Sequence, residues 1–324
     1  MPVMTLIQAI NHALHLEMER DKRVVVLGED VGKAGGVFRT TAGLYEKFGP
    51  DRAIDTPLSE DGIMGTAIGM ALYGMRPVPE IQFADFIYPA FDQIVNELAM
   101  YRHRSGGQFA CPLVIRSPCG GGIKGGHCHS QSPEAHFVHT AGLKVVIPSS
   151  PYEAKGLLLA SIRDDDPVLF LEPKRIYRAV RAEVPEDDYT IPLGKARVAK
   201  EGKDVSVFAY GAMLQTALEA AEKAQEEDLD LEVVDLQTLM PLDIETVEAS
   251  VRKTGRAVVA HEAPRTCGYG AELSALIHER LLLCLEAPVQ RVTGFDTPFP
   301  YVHEYTYMPD AGRILLGVRK TLEY

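Results

Sequence analysis

The chain has 324 residues, 46% of them hydrophobic and 24% charged, with a net charge of −12. That composition suits a globular protein large enough for two domains, and its scattered Lys and Arg residues exclude a nucleic-acid binder, which gathers them in a basic stripe. No run of 18 or more apolar residues is present, which excludes a membrane-spanning helix.

The opening MPVMTLIQAINHALHLEMERDKR sets Leu6, Ile10, Ala13, Leu14 and Met18 at helical spacing among polar residues. This predicts an amphipathic helix rather than a secretory signal. Short buried strands are expected at Val24–Leu27, Val78–Phe83, Leu113–Arg116, Lys144–Pro148 and Val168–Glu172. Helices are expected between them at Glu60–Tyr73, Phe86–Arg104 and Pro151–Arg163, the last with proline in its first turn, where the missing N–H costs nothing. Such alternation predicts a parallel sheet with helices on both faces.

From Val180 to Lys203 the chain is charged, carries two prolines and loses its long apolar period, so an extended interdomain connection is expected there. A second alternating unit follows: VSVFAYG, a helix through Met213–Glu226, LEVVDL, a helix near Ile244–Lys253, RAVVAHE, a helix around Glu272–Leu285, VQRVTGF and a closing helix. The expected architecture is therefore two α/β domains, residues 1–185 and 204–324, joined by 186–203. Five cysteines, an odd number without a CxxC pair, fit the reducing cytoplasm.

The Glu60–Tyr73 segment places Gly62, Gly65 and Gly69 with Ala67 and Ala71 along one helix. Each helical glycine costs roughly 0.5–1 kcal/mol relative to alanine, so something must offset it. Tight packing on a helix of the same chain is one offset; a partner chain or a cofactor wall is the other.

Common enzyme fingerprints are missing. GYGAEL at Gly268 lacks the third glycine of a dinucleotide loop, and GEDVGK at Gly28 lacks the first glycine and the final Ser or Thr of a phosphate loop. Neither a G-x-S-x-G nor an H-E-x-x-H sequence occurs. The stretch GGHCHSQSPEAHFVH, Gly125–His139, gathers His127, Cys128, His129, His136 and His139 like transition-metal ligands. Against a metal, the preceding GGGIKGG loop would hold ligands loosely, and no second cluster has matching spacing. A solvated or packed helix surface is the plainer reading of His136 and His139.

Several stretches, taken in order, resemble one family. GEDVG, DTPLSED, EIQFADFIYPAFDQIVNELAMYRHRSGG, HSQSPEA, GLKVVIPSSPYEAKGLL, PVLFLEPKRIYR, VVDLQTLMPLD and VTGFDTPFPY resemble the beta subunit of the decarboxylating component of 2-oxo acid dehydrogenase complexes. The resemblance covers essentially the whole chain and is strongest to the branched-chain (2-oxoisovalerate) type. A pyruvate or acetoin dehydrogenase beta subunit is the alternative, and a non-catalytic structural partner is the reading from a different class. The resemblance implies an N-terminal pyrimidine-binding parallel-sheet domain and a transketolase C-terminal-like domain that docks the acyltransferase core.

It also implies thiamine diphosphate. That cofactor needs a buried carboxyl beside a ring nitrogen of its aminopyrimidine, and the family's glutamate falls on Glu60. Phe86 falls where relatives carry a stacking aromatic, often tyrosine, with Leu58 and Gln82 nearby. His129 matches the active-site histidine, suited to deliver a proton during acyl transfer to a lipoyl arm. The family holds Mg²⁺ through a GDG…N sequence, which this chain lacks. The Mg²⁺ ligands are therefore expected on an alpha chain, in an α₂β₂ heterotetramer. Relatives also bind K⁺ through carbonyls, here near Leu113 and Asp164.

Overall fold

Fully buried β-branched and aliphatic runs cannot alternate inward and outward residues, so they pair where helices cover both faces of a sheet. The computed structural model, which describes all 324 residues, pairs them in that way. Its strands are β1 (Val3–Thr5), β2 (Val24–Gly28), β3 (Ala53–Asp55), β4 (Arg76–Glu80), β5 (Val114–Cys119), β6 (Lys144–Val146), β7 (Val168–Pro173), β8 (Arg181–Glu183), β9 (Arg197–Lys200), β10 (Val205–Ala209), β11 (Leu231–Asp235), β12 (Thr238–Met240), β13 (Ala257–Ala260) and β14 (Gln290–Val292). A seven-stranded sheet runs in the order β12-β6-β7-β5-β4-β2-β3, parallel except for β12. A five-stranded sheet runs β14-β13-β10-β11-β9, parallel except for β9.

Helices cover these sheets. They are α1 (Leu6–Arg20), α2 (Leu44–Phe48), α3 (Glu60–Leu72), α4 (Tyr101–Arg104), α5 (Glu134–Val138), α6 (Pro151–Arg163), α7 (Met213–Ala224), α8 (Ile244–Thr254), α9 (Tyr269–Leu281), α10 (Glu304–Tyr307) and α11 (Ala311–Leu322). Helix α1 starts at Leu6 because Thr5 and Gln8 form a capping box, each side chain accepting the other's backbone N–H. Its apolar stripe packs on the first sheet together with α6, in one cluster containing Leu14, Met18, Val26, Leu158 and Phe170.

The structure departs from the sequence reading in four places. The residues before Leu6 form β1, which pairs antiparallel with β8 of the charged connection. The strand expected through Phe83 ends at Glu80, leaving Ile81–Phe83 as the approach to a turn. The single helix expected over Phe86–Arg104 is broken into 3₁₀ turns at Ala84–Phe86 and Tyr88–Ala90, a π-helical stretch Gln93–Leu98 and the short α4. Pro89 contributes to that break, having no N–H to donate. Lastly, β12 leaves the second half of the chain and joins the first sheet beside β6.

That crossing strand makes the two halves share a core. One apolar cluster extends from Ile63 and Met64 on α3 through Phe137 and Ile147 to Val234, Leu239 and Tyr269. No helix is long and apolar enough to cross a membrane.

Candidate functional site

In an open parallel sheet, ligands bind in the crevice beyond the carboxyl ends of the strands. Four strands of the first sheet deliver chemistry to that end. Strand β2 ends at Gly28 and releases Glu29 and Asp30; β3 ends at Asp55 and leads through Leu58 to Glu60. Strand β4 leads to Gln82, Phe83 and Phe86, and β5 to the glycine loop that precedes His129.

Glu60 opens α3, whose N-cap Ser59 accepts the N–H of Gly62. It is partly exposed. Its charge reaches Glu29: burial first, then the neighbouring Glu60 and Asp30 carboxylates, hold the Glu29 carboxyl above its ordinary value. Gln82 Nε2 donates to Asp30 Oδ2 at 3.2 Å, joining the β4 segment to the same acidic corner. The Asp55 carboxylate accepts the N–H groups of Gly32 (2.6 Å) and Lys33 (3.2 Å), fixing the GEDVGK loop over β3.

His129 lies against two aromatic rings, edge to face with Phe83 at 4.4 Å and with Phe86 at 5.4 Å between centroids. The structure thus gathers the sequence-predicted residues at one end of one sheet: Glu60 and Gln82 share the acidic corner, and Phe86 and His129 share an aromatic corner. Leu58 stands apart, 78% exposed on the approach to α3. Two glycines of α3, Gly65 and Gly69, have no packing reason within the chain. A Cβ on Gly69 would meet nothing within 4 Å, and one on Gly65 would only reach the Gln93 side chain at 3.7 Å. Tyr73, at the end of this helix, is 94% exposed. Internal packing is therefore not what offsets the cost of these glycines.

The histidine-rich stretch does not converge as a metal site. His127, Cys128, His136 and His139 are exposed, and no three His, Cys, Asp or Glu side chains of the chain come together around one point. Nor is the GGGIKGG loop loose, contrary to the expectation. Glu262 accepts the N–H of Gly121 (2.9 Å), and Glu304 accepts those of Gly122 and Lys124, so two carboxylates of the second half clamp it. Gly122 (φ +94°) has to be glycine: a Cβ there would lie 2.7 Å from the Arg175 side chain.

The K⁺ expectation meets occupied carbonyls. That of Leu113 accepts the Val168 N–H at 2.9 Å, where β5 and β7 begin to pair. The carbonyls of Ile162 and Asp164, at the end of α6, both accept from Arg76 Nη1 at 2.9 Å, while Lys144 pairs with the Asp164 carboxylate at 2.6 Å. Each of these carbonyls accepts one hydrogen bond within the chain, which leaves a lone pair on each oxygen.

Sequence reasoning missed the buried polar groups beneath the site. Arg116 on β5 bridges Glu80 (2.8 Å) and Glu172 (2.7 Å), all three buried, with Tyr177 donating to Glu172 at 2.5 Å. Asp85, inside the quoted QFADF, accepts the backbone N–H groups of Ser130 and Gln131. Glu134, inside HSQSPEA, accepts from Tyr210 at 2.7 Å, and burial pushes its carboxyl up to about 7. Only the juxtaposition of a charge with an otherwise apolar strand, as in VIRSP, hinted at any of these.

Known proteins resemble this chain along its whole length. Residues 3–180 match the family "Transketolase, pyrimidine binding domain", and residues 194–314 match "Transketolase, C-terminal domain". The 2-oxoisovalerate dehydrogenase subunit beta, mitochondrial, of Dictyostelium discoideum is 57% identical over 323 residues, covering 99% of this chain and 87% of that relative. The corresponding Pseudomonas aeruginosa subunit is 50% identical, covering 99% of this chain and 95% of its own length. The pyruvate dehydrogenase E1 component subunit beta of Staphylococcus aureus is 49% identical over the full length of both. Among solved structures, a chain described as "Split gene transketolase, inactive beta4 tetramer" superposes with a TM-score of 0.82 at 26% identity, covering 99% of this chain and 98% of that one. With both domains matched and about half or more of its residues shared along the whole length, the chain belongs to the family of 2-oxo acid dehydrogenase beta subunits.

Proposed function

We propose that this chain is the beta subunit of a branched-chain (2-oxoisovalerate) dehydrogenase and supplies the pyrimidine half of a thiamine diphosphate site in an α₂β₂ assembly. Glu60, Gln82, Phe86 and His129 at one sheet end are the observation that carries the reading. Thiamine diphosphate, when bound, provides the carbon nucleophile that attacks the 2-oxo group and accepts the electrons left by departing carbon dioxide. Glu60 would exchange a proton with N1′ of the aminopyrimidine. Phe86 walls the ring without the hydroxyl a tyrosine would bring, and Gln82 lines its approach. His129 donates a proton to sulfur as the acyl group passes to the lipoyl arm of the acyltransferase core.

The phosphate half belongs to the alpha chain. No GDG sequence exists here to hold Mg²⁺. The exposed Leu58, Gly69 and Tyr73, along α3 and its approach, offer a surface suited to that partner. A structural relative described as an inactive beta4 tetramer supports the idea that one half of a split site does not work alone. Five free thiols suit the cytoplasm as the place of work.

A pyruvate-specific subunit is the second reading, favoured by the full-length match to the Staphylococcus aureus protein. Steady-state kinetics on the chain co-expressed with its alpha partner separate the two. The expected kcat/KM favours 2-oxoisovalerate over pyruvate by at least about tenfold. Glu60→Gln is expected to lower kcat by roughly 10²–10⁴ with folding unchanged. Turnover by this chain without an alpha partner, or full activity of Glu60→Gln in the assembly, would overturn the half-site assignment.

A further inference from the structure

One buried side chain joins the two aromatic segments of the site. Asp85 lies in the turn Ala84–Phe86, beside Phe86 in sequence, and is 9% exposed. Its Oδ1 accepts two backbone N–H groups at 3.1 Å, those of Ser130 and Gln131, which directly follow His129. The segment carrying the cofactor wall is thereby tied to the segment carrying the proton donor, 45 residues on in the chain.

A carboxylate is a costly tether at that depth. Burying it requires charge-assisted hydrogen bonds and an opposite charge nearby, whereas a simple loop anchor could use a hydroxyl or a backbone group. Lys174, directly after β7 and 3% exposed, lies in the same interior; neither its Nζ nor Asp85 Oδ2 makes a hydrogen bond within the chain. Burial holds the Lys174 ammonium below its ordinary value, and nearby Cys119 and Asp85 oppose that shift. Lys174 Nζ lies 5.6 Å from the Phe83 ring centroid, on the ring that meets His129 edge to face. From the other side, the Cβ of His129 is so close to Gly125 that a Cβ there would come within 2.7 Å. The imidazole is therefore held between Phe83 and Phe86 through its ring, while Asp85 anchors the two residues that follow it.

We propose that Asp85 is a positioning residue: by holding the N–H groups of Ser130 and Gln131 it fixes the chain directly after His129, so that the imidazole stays between Phe83 and Phe86. This rests on the reading of His129 as the proton donor in acyl transfer, since Asp85 itself touches no reacting group. A displacement of about 1 Å at such a group costs about 10²-fold in rate.

The test uses the full chain assembled with its alpha partner and a lipoylated domain. Two rates are measured: carbon dioxide release with an artificial electron acceptor, and acylation of the lipoyl domain. Asp85→Ala is expected to slow acylation by roughly 10–100-fold and carbon dioxide release by less than about threefold. Combined with His129→Gln, it is expected to be no slower than His129→Gln alone. Should Asp85→Ala fail to fold, Asp85→Asn decides: it keeps an acceptor oxygen, and acylation is expected to fall severalfold with carbon dioxide release unchanged. Normal acylation by the folded Asp85 variant, with acylation lost in His129→Gln, overturns the proposal and leaves the reading of His129 intact. Equal slowing of both rates, or additive losses in the double variant, also overturns it. Normal acylation by His129→Gln overturns the reading of His129 itself.

Discussion

Glu134→Gln is expected to remove a large pH dependence from the stability of this fold. Glu134 is 1% exposed on α5, between the two halves of the molecule, and its Oε1 accepts the Tyr210 hydroxyl at 2.7 Å. Burial pushes its carboxyl from 4.5 up to about 7, with the Glu262 charge adding to the rise and the Tyr210 hydrogen bond opposing it. The folded state therefore holds a proton that the unfolded chain has lost across that window. The resulting stability is complete below about pH 4.5 and disappears as the pH rises through about 7. At 1.36 kcal/mol per pKa unit, the shift corresponds to about 3 kcal/mol.

Glutamine has nearly the same shape, stays neutral and can still accept from Tyr210. Urea unfolding of the two proteins, followed by circular dichroism at several pH values, isolates this one group. Asp235, pushed up to about 7, and His261, lowered to about 4, titrate in both proteins and largely cancel in the difference. The variant's advantage is expected to grow by about 3 kcal/mol between about pH 5 and about pH 8. A difference that stays flat to within about 0.5 kcal/mol over that range refutes the argument that burial governs this carboxyl.

Two further outcomes follow from buried charge. Arg116→Met strands Glu80 and Glu172 without their shared cation and is expected to cost about 3–5 kcal/mol in urea unfolding; a loss under about 1 kcal/mol would mean that the carboxylates find other partners. Because Arg76 already occupies the carbonyls of Ile162 and Asp164, the melting temperature is expected to stay constant when K⁺ is exchanged for Na⁺ at equal ionic strength. Arg76→Thr, leaving those carbonyls and Asp165 without their donor, is expected to cost about 1–3 kcal/mol. A melting temperature that falls specifically on removal of K⁺ would mean that carbonyls here hold the ion as well as Arg76.

Much of this protein could be read from the sequence because it depends on near neighbours. The helices α1, α6 and α11 follow from apolar spacing and caps such as Thr5 with Gln8, and the strands β2, β5, β7, β10 and β11 from short aliphatic runs. Collinear motifs identified the family, and with it Glu60, Gln82, Phe86 and His129 as residues to examine. Local patterns failed where a segment answers to distant partners. The helix expected from Phe86 to Arg104 breaks into turns that set Phe86 against His129, and β12 abandons its own half to pair with β6. The glycine loop reads as slack until Glu262 and Glu304, some 140 and 180 residues further on, accept its N–H groups. The same holds for Asp85, Lys174 and Arg116, whose cost in isolation is large and whose partners come from other strands and loops. Periodicity carries information over a few residues, whereas satisfying a buried charge or an unpaired N–H depends on what the completed fold brings within 3 Å. The regular helices and strands and the family were thus determined by the sequence, whereas the broken 86–104 segment, the crossing of β12 and the bonds of Asp85 to Ser130 and Gln131 were decided by the tertiary structure.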